Sequence, residues 1–173
     1  MNRREKAEYD SYFEQVLNDH HAMISRVVST YEMKKALQEE LYQEISVALW
    51  RALPKFDQQS SLKTYILSIA HKRAVSHVAK HVKEPTSVDI TDYEFGGESC
   101  PSETLKSNQQ MNRLMSALMQ LPMVDRQLVT LALEGVSYKE ISDILGVSVS
   151  NVGVKLNRAK QKLNTMLSSE VAQ

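Results

Sequence analysis

The chain has 173 residues, 42% of them hydrophobic and 24% charged, with 21 basic and 21 acidic side chains that cancel at neutral pH. This is the composition of an ordinary globular protein of one domain or two small ones, and no apolar run approaches the roughly 18 residues of a membrane span. The charged start, MNRREKAEYD, lacks the apolar core of a signal peptide and predicts a cytoplasmic location without membrane insertion, and the single cysteine, Cys100, excludes an internal disulfide framework.

The neutral total averages three unlike segments. Residues 1–83 hold 13 Lys or Arg against 10 acids, residues 84–105 hold none against 6, and residues 106–173 hold 8 against 5. Two mildly basic blocks are thus joined by an acidic connector.

Three helices are expected in the first block, over residues 8–31, 35–53 and 61–82. In the second, Leu37, Leu41, Ile45, Ala48, Leu49 and Ala52 line one face, and Pro54 ends it. In the third, Leu62, Tyr65, Ile66, Ile69, Ala70 and Val78 make the apolar side, while Lys72, Arg73, Ser76 and Lys80 lie mostly elsewhere. No acid occurs between Gln58 and Lys83, where five cations and three histidines accumulate. That pattern suits a nucleic-acid surface. His77 and His81 stand one helical turn apart, as zinc ligands often do, but no Glu or Cys nearby in sequence completes a set. They read as surface or DNA-facing side chains, and neither metal nor cofactor is expected.

Residues 84–107 carry two prolines, a Gly-Gly pair and several Ser and Thr without helical periodicity, and read as a linker. Beyond it, residues 108–120 repeat apolar side chains at Met111, Leu114, Met115, Leu118 and Met119, with the methionines read as a core stripe. Leu121-Pro122 breaks that helix, and a short one follows over residues 124–133 up to Gly135. With no strand-length alternation anywhere, the fold expected is all-α, with two small helical domains (1–83 and 108–173) flanking a flexible acidic linker.

Residues 137–163 close the chain with two helix signals around a glycine turn. Ser137 and Glu140 form a capping box ahead of Ile141, Ile144 and Leu145, and Gly146 supplies the left-handed residue that stops the helix. Ser148 or Ser150 caps the next helix, in which Val152, Leu156, Ala159 and Leu163 make one buried stripe. Its other face shows Ser150, Asn151, Lys155, Arg158 and Lys162. Small and amide side chains at the leading end with cations further along are what a helix needs to meet base edges in the major groove and then phosphates. Residues 137–163 are read as a DNA-binding helix-turn-helix.

Taken together, the chain resembles the bacterial RNA polymerase sigma factors of the extracytoplasmic-function group. The block EELYQEISVALWRALPKFDQQSSLKTYILSIAHKRAVSHVAK is similar to the family's region two, and LPMVDRQLVTLALEGVSYKEISDILGVSVSNVGVKLNRAKQKL to its region four, in the family's order. The resemblance implies a transcription initiation factor, not an enzyme, whose partners are core RNA polymerase, promoter DNA and, in many relatives, an anti-sigma protein. It implies that Glu39, Glu40, Tyr42, Gln43, Glu44 and Trp50 contact the polymerase clamp, with burial in the core as the competing expectation for Trp50. It places Gln58, Gln59, Ser60 and Ser61 on a flipped base of the minus-ten element, and Lys63, Lys72, Arg73 and Lys80 on nearby phosphates. Minus-thirty-five recognition falls to Ser148, Ser150, Asn151, Lys155, Arg158 and Lys162. The acidic linker would thread through the polymerase.

The chain departs from the family pattern at Tyr65, Lys72, Ser76, Ala79-Lys80 and the run Asn151-Val152-Gly153-Val154-Lys155. Promoter sequence is therefore the least transferable feature. Gly153 costs a helix about 1 kcal/mol relative to alanine, which predicts close backbone approach there, to DNA or within the bundle. The rival reading is a one-component helix-turn-helix regulator that binds DNA without the polymerase.

Overall fold

The computed structural model describes residues 3–82 and 104–171. Seven α-helices and one 3-10 turn occur among the described residues, with no strand. They fall into two compact units, each with its own core.

The first unit holds α1 (Arg3–Tyr31), α2 (Lys35–Ala52) and α3 (Leu62–His81). α2 ends where expected, because Pro54 cannot continue the helix, and the chain tightens into a 3-10 turn over Leu53–Lys55. The core joins Ile24, Val27 and Val28 of α1 to Leu41, Ile45 and Leu49 of α2 and Ile66, Leu67 and Ala70 of α3, all fully buried or nearly so. Ser61 caps α3, its side chain accepting a hydrogen bond from the Thr64 N–H.

The buried face of α3 is not the expected one. Thr64, Leu67, His71, Ala74 and His77 point inward with Ile66 and Ala70, whereas Leu62, Tyr65, Ile69 and Val78 are only half-buried. α3 is a weakly amphipathic helix, and its polar positions 64, 71 and 77 lie on the side that α1 and α2 cover. The expectation that His77 and His81 are surface groups is corrected for His77, which is 1% exposed; His71 is buried equally.

The second unit holds α4 (Thr104–Gln120), α5 (Met123–Leu133), α6 (Tyr138–Leu145) and α7 (Val149–Val171), with α7 packed on the other three. α4 begins at Thr104, four residues inside the expected linker; the rest of that linker, with Cys100 and Lys83, lies outside the described residues. α4 buries Ala117 and Leu118, while Met111 is exposed and Met115 and Met119 are half-buried. The methionine stripe is thus the margin of this core, not its centre.

The break at Leu121-Pro122 has a partner that sequence reading missed. Arg126, 9% exposed, donates from Nε to the Leu118 carbonyl at 3.1 Å and from Nη2 to the carbonyls of Met119 at 2.6 Å and Leu121 at 3.1 Å. The last carbonyls of a helix have no partner within it. Here one guanidinium reaches Leu118 and Met119 in the last turn and Leu121 just beyond it, the Leu118 carbonyl also accepting the Leu121 N–H at 3.1 Å, and it sits where the helix dipole favours a cation.

Candidate nucleic-acid and partner interfaces

Since α2 turns Leu41, Ile45 and Leu49 inward, positions three and four residues apart on the opposite side form one exposed face. Glu39, Gln43, Val47 and Trp50 run along it, with Glu40, Glu44 and Arg51 beside them. Glu40, Gln43, Glu44, Val47, Ala48 and Arg51 line a shallow groove together with Arg73 of α3. Trp50 is not a core residue. It is 36% exposed, its ring meets that of Tyr9 edge-on at 5.8 Å, and its indole N–H donates to Asp10 Oδ1 at 3.3 Å. A large half-exposed aromatic held in place from behind is a good anchor for a protein partner. Val47, 50% exposed, was missed in sequence; its one signal was an apolar residue outside the buried stripe.

Tyr42 is set apart from this face. Its hydroxyl lies 2.8 Å from Nδ1 of His21, and the two rings meet edge-on at 5.3 Å, so the side chain leans on α1. Burial raises its phenol pKa above the usual value.

The structure gathers groups that sequence reading assigned to different surfaces. Glu40 Oε1 lies 3.7 Å from Lys80 Nζ, and its Oε2 lies 3.7 Å from His81 Nε2. His77 sits between Glu32 Oε1, 3.3 Å from Nε2, and Glu44 Oε1, 3.5 Å from Nδ1. Acids do accompany the His77–His81 pair after all. They arrive from the end of α1 and from α2, far away in sequence.

Lys63, Lys72 and Arg73 are exposed on α3, as a phosphate-binding role requires. Arg73 faces the α2 groove, so it borders the acidic face as well. In the loop before α3, Gln58 and Gln59 are exposed, and Gln58 takes a left-handed backbone with φ of 60°. A non-glycine residue there stores strain of about 1 kcal/mol. The Gln59 N–H reaches Asp57 Oδ1 at 3.3 Å, and Phe56 packs against Tyr65 with ring centres 4.8 Å apart and planes tilted by 36°. Tyr65 in turn donates its hydroxyl to the Ala52 carbonyl at 3.0 Å. The loop is therefore held at its base while its two glutamines project. Ser61 is engaged in capping, and its hydroxyl donates to Thr64 Oγ1 at 2.9 Å.

The helix-turn-helix forms as its local chemistry dictates. The Ser137–Glu140 capping box is present, and Gly146 adopts φ of 66° at the end of α6. Ser148 caps α7, its Oγ accepting from the Asn151 N–H at 3.2 Å. Val152, Leu156, Ala159 and Leu163 are buried. Ser148, Ser150, Asn151 and Arg158 are exposed, and Lys155 is half-buried. Lys162 stands apart, with its ammonium 3.5 Å from Asp125 Oδ2 of α5. Tyr138, Val149 and Val154 add exposed apolar surface at the leading end of the motif that sequence reading did not single out. A Cβ built at Gly153 would meet Tyr138 at 3.6 Å, ordinary van der Waals contact, so packing within the bundle does not require glycine there.

Comparison with known proteins agrees with these features. Residues 16–84 match the family model described as Sigma-70 region 2, and residues 111–163 match Sigma-70, region 4. The chain is 28% identical over 160 residues to the ECF RNA polymerase sigma factor SigM of Bacillus subtilis, covering 91% of this chain and 93% of that one. It is 26% identical over 153 residues to the ECF RNA polymerase sigma-E factor of Escherichia coli, covering 83% and 78%. The fold is shared with the sigma factor RpoE of Bartonella quintana, solved in complex with the anti-sigma factor NepR (TM-score 0.69, 21% identity, 90% of this chain and 96% of that one). The two matched regions span most of the chain in the family's order, and the chain belongs to the sigma-70 family of transcription initiation factors, in its extracytoplasmic-function group.

Proposed function

We propose that the first unit docks on core RNA polymerase through the exposed face of α2 and engages the minus-ten element through the loop before α3, while α7 reads the minus-thirty-five element. The α2 face carries the reading: it places Glu39, Gln43, Val47 and Trp50 in one exposed row, with Trp50 backed by Tyr9. A half-exposed tryptophan and valine supply apolar anchors, and the surrounding acids suit a basic partner surface. Gln58 and Gln59 offer the donors and acceptors that must repay the few kcal/mol lost when a base leaves its stack. Ser148, Ser150 and Asn151 reach base edges, and Arg158 and Lys155 reach phosphates. Lys162 contributes less, because Asp125 already holds it. The protein acts in the cytoplasm, where the polymerase is, and does so without catalysis of its own. The same α2 and α7 surfaces are open to an anti-sigma protein of the kind bound to RpoE.

The test mixes purified protein with sigma-free core polymerase and measures complex formation and promoter-dependent transcripts on genomic fragments. Transcripts that need both components support the reading. Tight, specific DNA binding by the protein alone, with no affinity for core, would instead identify a one-component regulator.

A further inference from the structure

At one end of the first unit, three helices bring together side chains of metal-binding chemistry. Glu40 and Glu44 lie one turn apart on α2, His77 and His81 one turn apart on α3, and Glu32 just beyond α1. Glu40, His77 and His81 each offer a ligand atom, and these atoms all lie within 4.8 Å of one another.

His77 is the informative member. It is 1% exposed, and neither ring nitrogen has a hydrogen-bond partner, although carboxylate oxygens stand 3.3 and 3.5 Å away. A neutral imidazole has one N–H and one lone pair, so one of the two flanking carboxylates faces a lone pair. A cation between the rings and the acids resolves that conflict. His81 is already oriented for such an ion. Its Nδ1 lies 3.0 Å from the His77 carbonyl oxygen, which leaves the Nε2 lone pair directed toward Glu40. Metal-bound histidines adopt this arrangement, in which a backbone partner sets the tautomer.

We propose that Glu40, His77 and His81 bind one divalent transition-metal ion of the zinc class, with Glu44 or a water as fourth ligand. Two imidazoles with carboxylate suit zinc, nickel or cobalt better than magnesium or calcium. Bonds of about 2.0–2.1 Å in a tetrahedral site put ligand atoms about 3.3 Å apart. Glu40 and His81 are only half-buried, and small side-chain rotations bring them to that spacing. The Lys80–Glu40 ion pair gives way at little cost, because Lys80 is exposed and the pair reaches solvent. The bound ion clips α2 to α3. The site adjoins the α2 face assigned above to the polymerase, but it does not depend on that assignment.

The full chain, stripped with chelator and dialysed, is titrated with cobalt(II) and then with zinc, in the absence of polymerase. The expected result is one equivalent bound, the intense visible absorption of tetrahedral cobalt, its loss on adding zinc, and a higher Tm with zinc. His81→Gln and Glu40→Gln, at half-buried positions the fold tolerates, each weaken binding by at least about tenfold. His20→Gln, on α1, leaves it unchanged. Three results overturn the proposal: no binding by the wild-type chain, equal binding by both site variants, or loss of binding in His20→Gln. A Tm that zinc does not raise overturns it as well.

Discussion

The hydroxyl of Tyr31 and Nδ1 of His71 lie 2.6 Å apart in the buried centre of the first unit, tying the last turn of α1 to the middle of α3. The rings meet edge-on at 5.5 Å, and His71 Nε2 is buried without a hydrogen-bond partner. Burial pushes the His71 pKa down to about 3.

That shift gives an acid sensitivity with a definite sign. The unfolded chain binds a proton at His71 near pH 6.5 and the folded chain does not until about pH 3. Stability from this group is complete above pH 6.5 and falls by roughly 1.4 kcal/mol per pH unit as pH drops through that window. Urea unfolding between pH 7 and 4 should show a shallower decline for His71→Leu than for wild type. Equal slopes would mean that His71 is hydrated in solution.

Arg126 should be among the most sensitive positions in the second unit. Arg126→Leu removes the side-chain donor of the Met119 and Leu121 carbonyls and leaves Leu118 only its bond from the Leu121 N–H, at an expected cost of at least about 2 kcal/mol. Arg126→Lys should recover only part of this, because a single ammonium cannot span three carbonyls as a planar guanidinium does. Thermal unfolding of both variants checks the order.

For Gly153→Ala we expect opposite effects on stability and on recognition. The new methyl makes an ordinary contact with Tyr138 at 3.6 Å, so stability should rise by up to about 1 kcal/mol. Affinity for minus-thirty-five DNA should fall if the helix backbone lies against the duplex. A variant that is both more stable and equally good at recognition would assign the glycine no role in close approach.

Gln58→Ala keeps the left-handed backbone and removes the amide. Core polymerase affinity should persist while open-complex formation drops, as followed by permanganate reactivity of the melted strand. Unchanged melting would take the loop out of base capture.

Val47→Asp places a charge on the exposed face of α2, away from the core, and should change stability by no more than about 0.5 kcal/mol. Its affinity for core polymerase should fall about tenfold or more, as measured by fluorescence anisotropy. Equal affinity would move the docking surface elsewhere.

Much of the second unit was legible because its signals are local. The Ser137–Glu140 box, the Gly146 stop and the buried stripe of α7 act within one or two turns, so spacing alone implies the geometry. The exposed leading end of α7, with Ser150 and Asn151, followed directly. The face of α3 was less legible because its buried side carries Thr64, His71 and His77, whose polarity argues for solvent until α1 and α2 are seen to cover them. Arg126 was missed for a related reason, since its partners are backbone carbonyls at and just beyond the end of the preceding helix.

The sequence by itself determined the all-α class, most helix ends, the helix-turn-helix and the family, because caps, prolines and apolar periods are short-range properties of the chain. Only the tertiary structure decided which side chains meet across helices. It set Trp50 at the surface against Tyr9, buried His71 on Tyr31, and brought Glu32, Glu40 and Glu44 to His77 and His81. Residues so far apart in sequence become neighbours through the packing of three helices, and no local period encodes how those helices are rotated against one another.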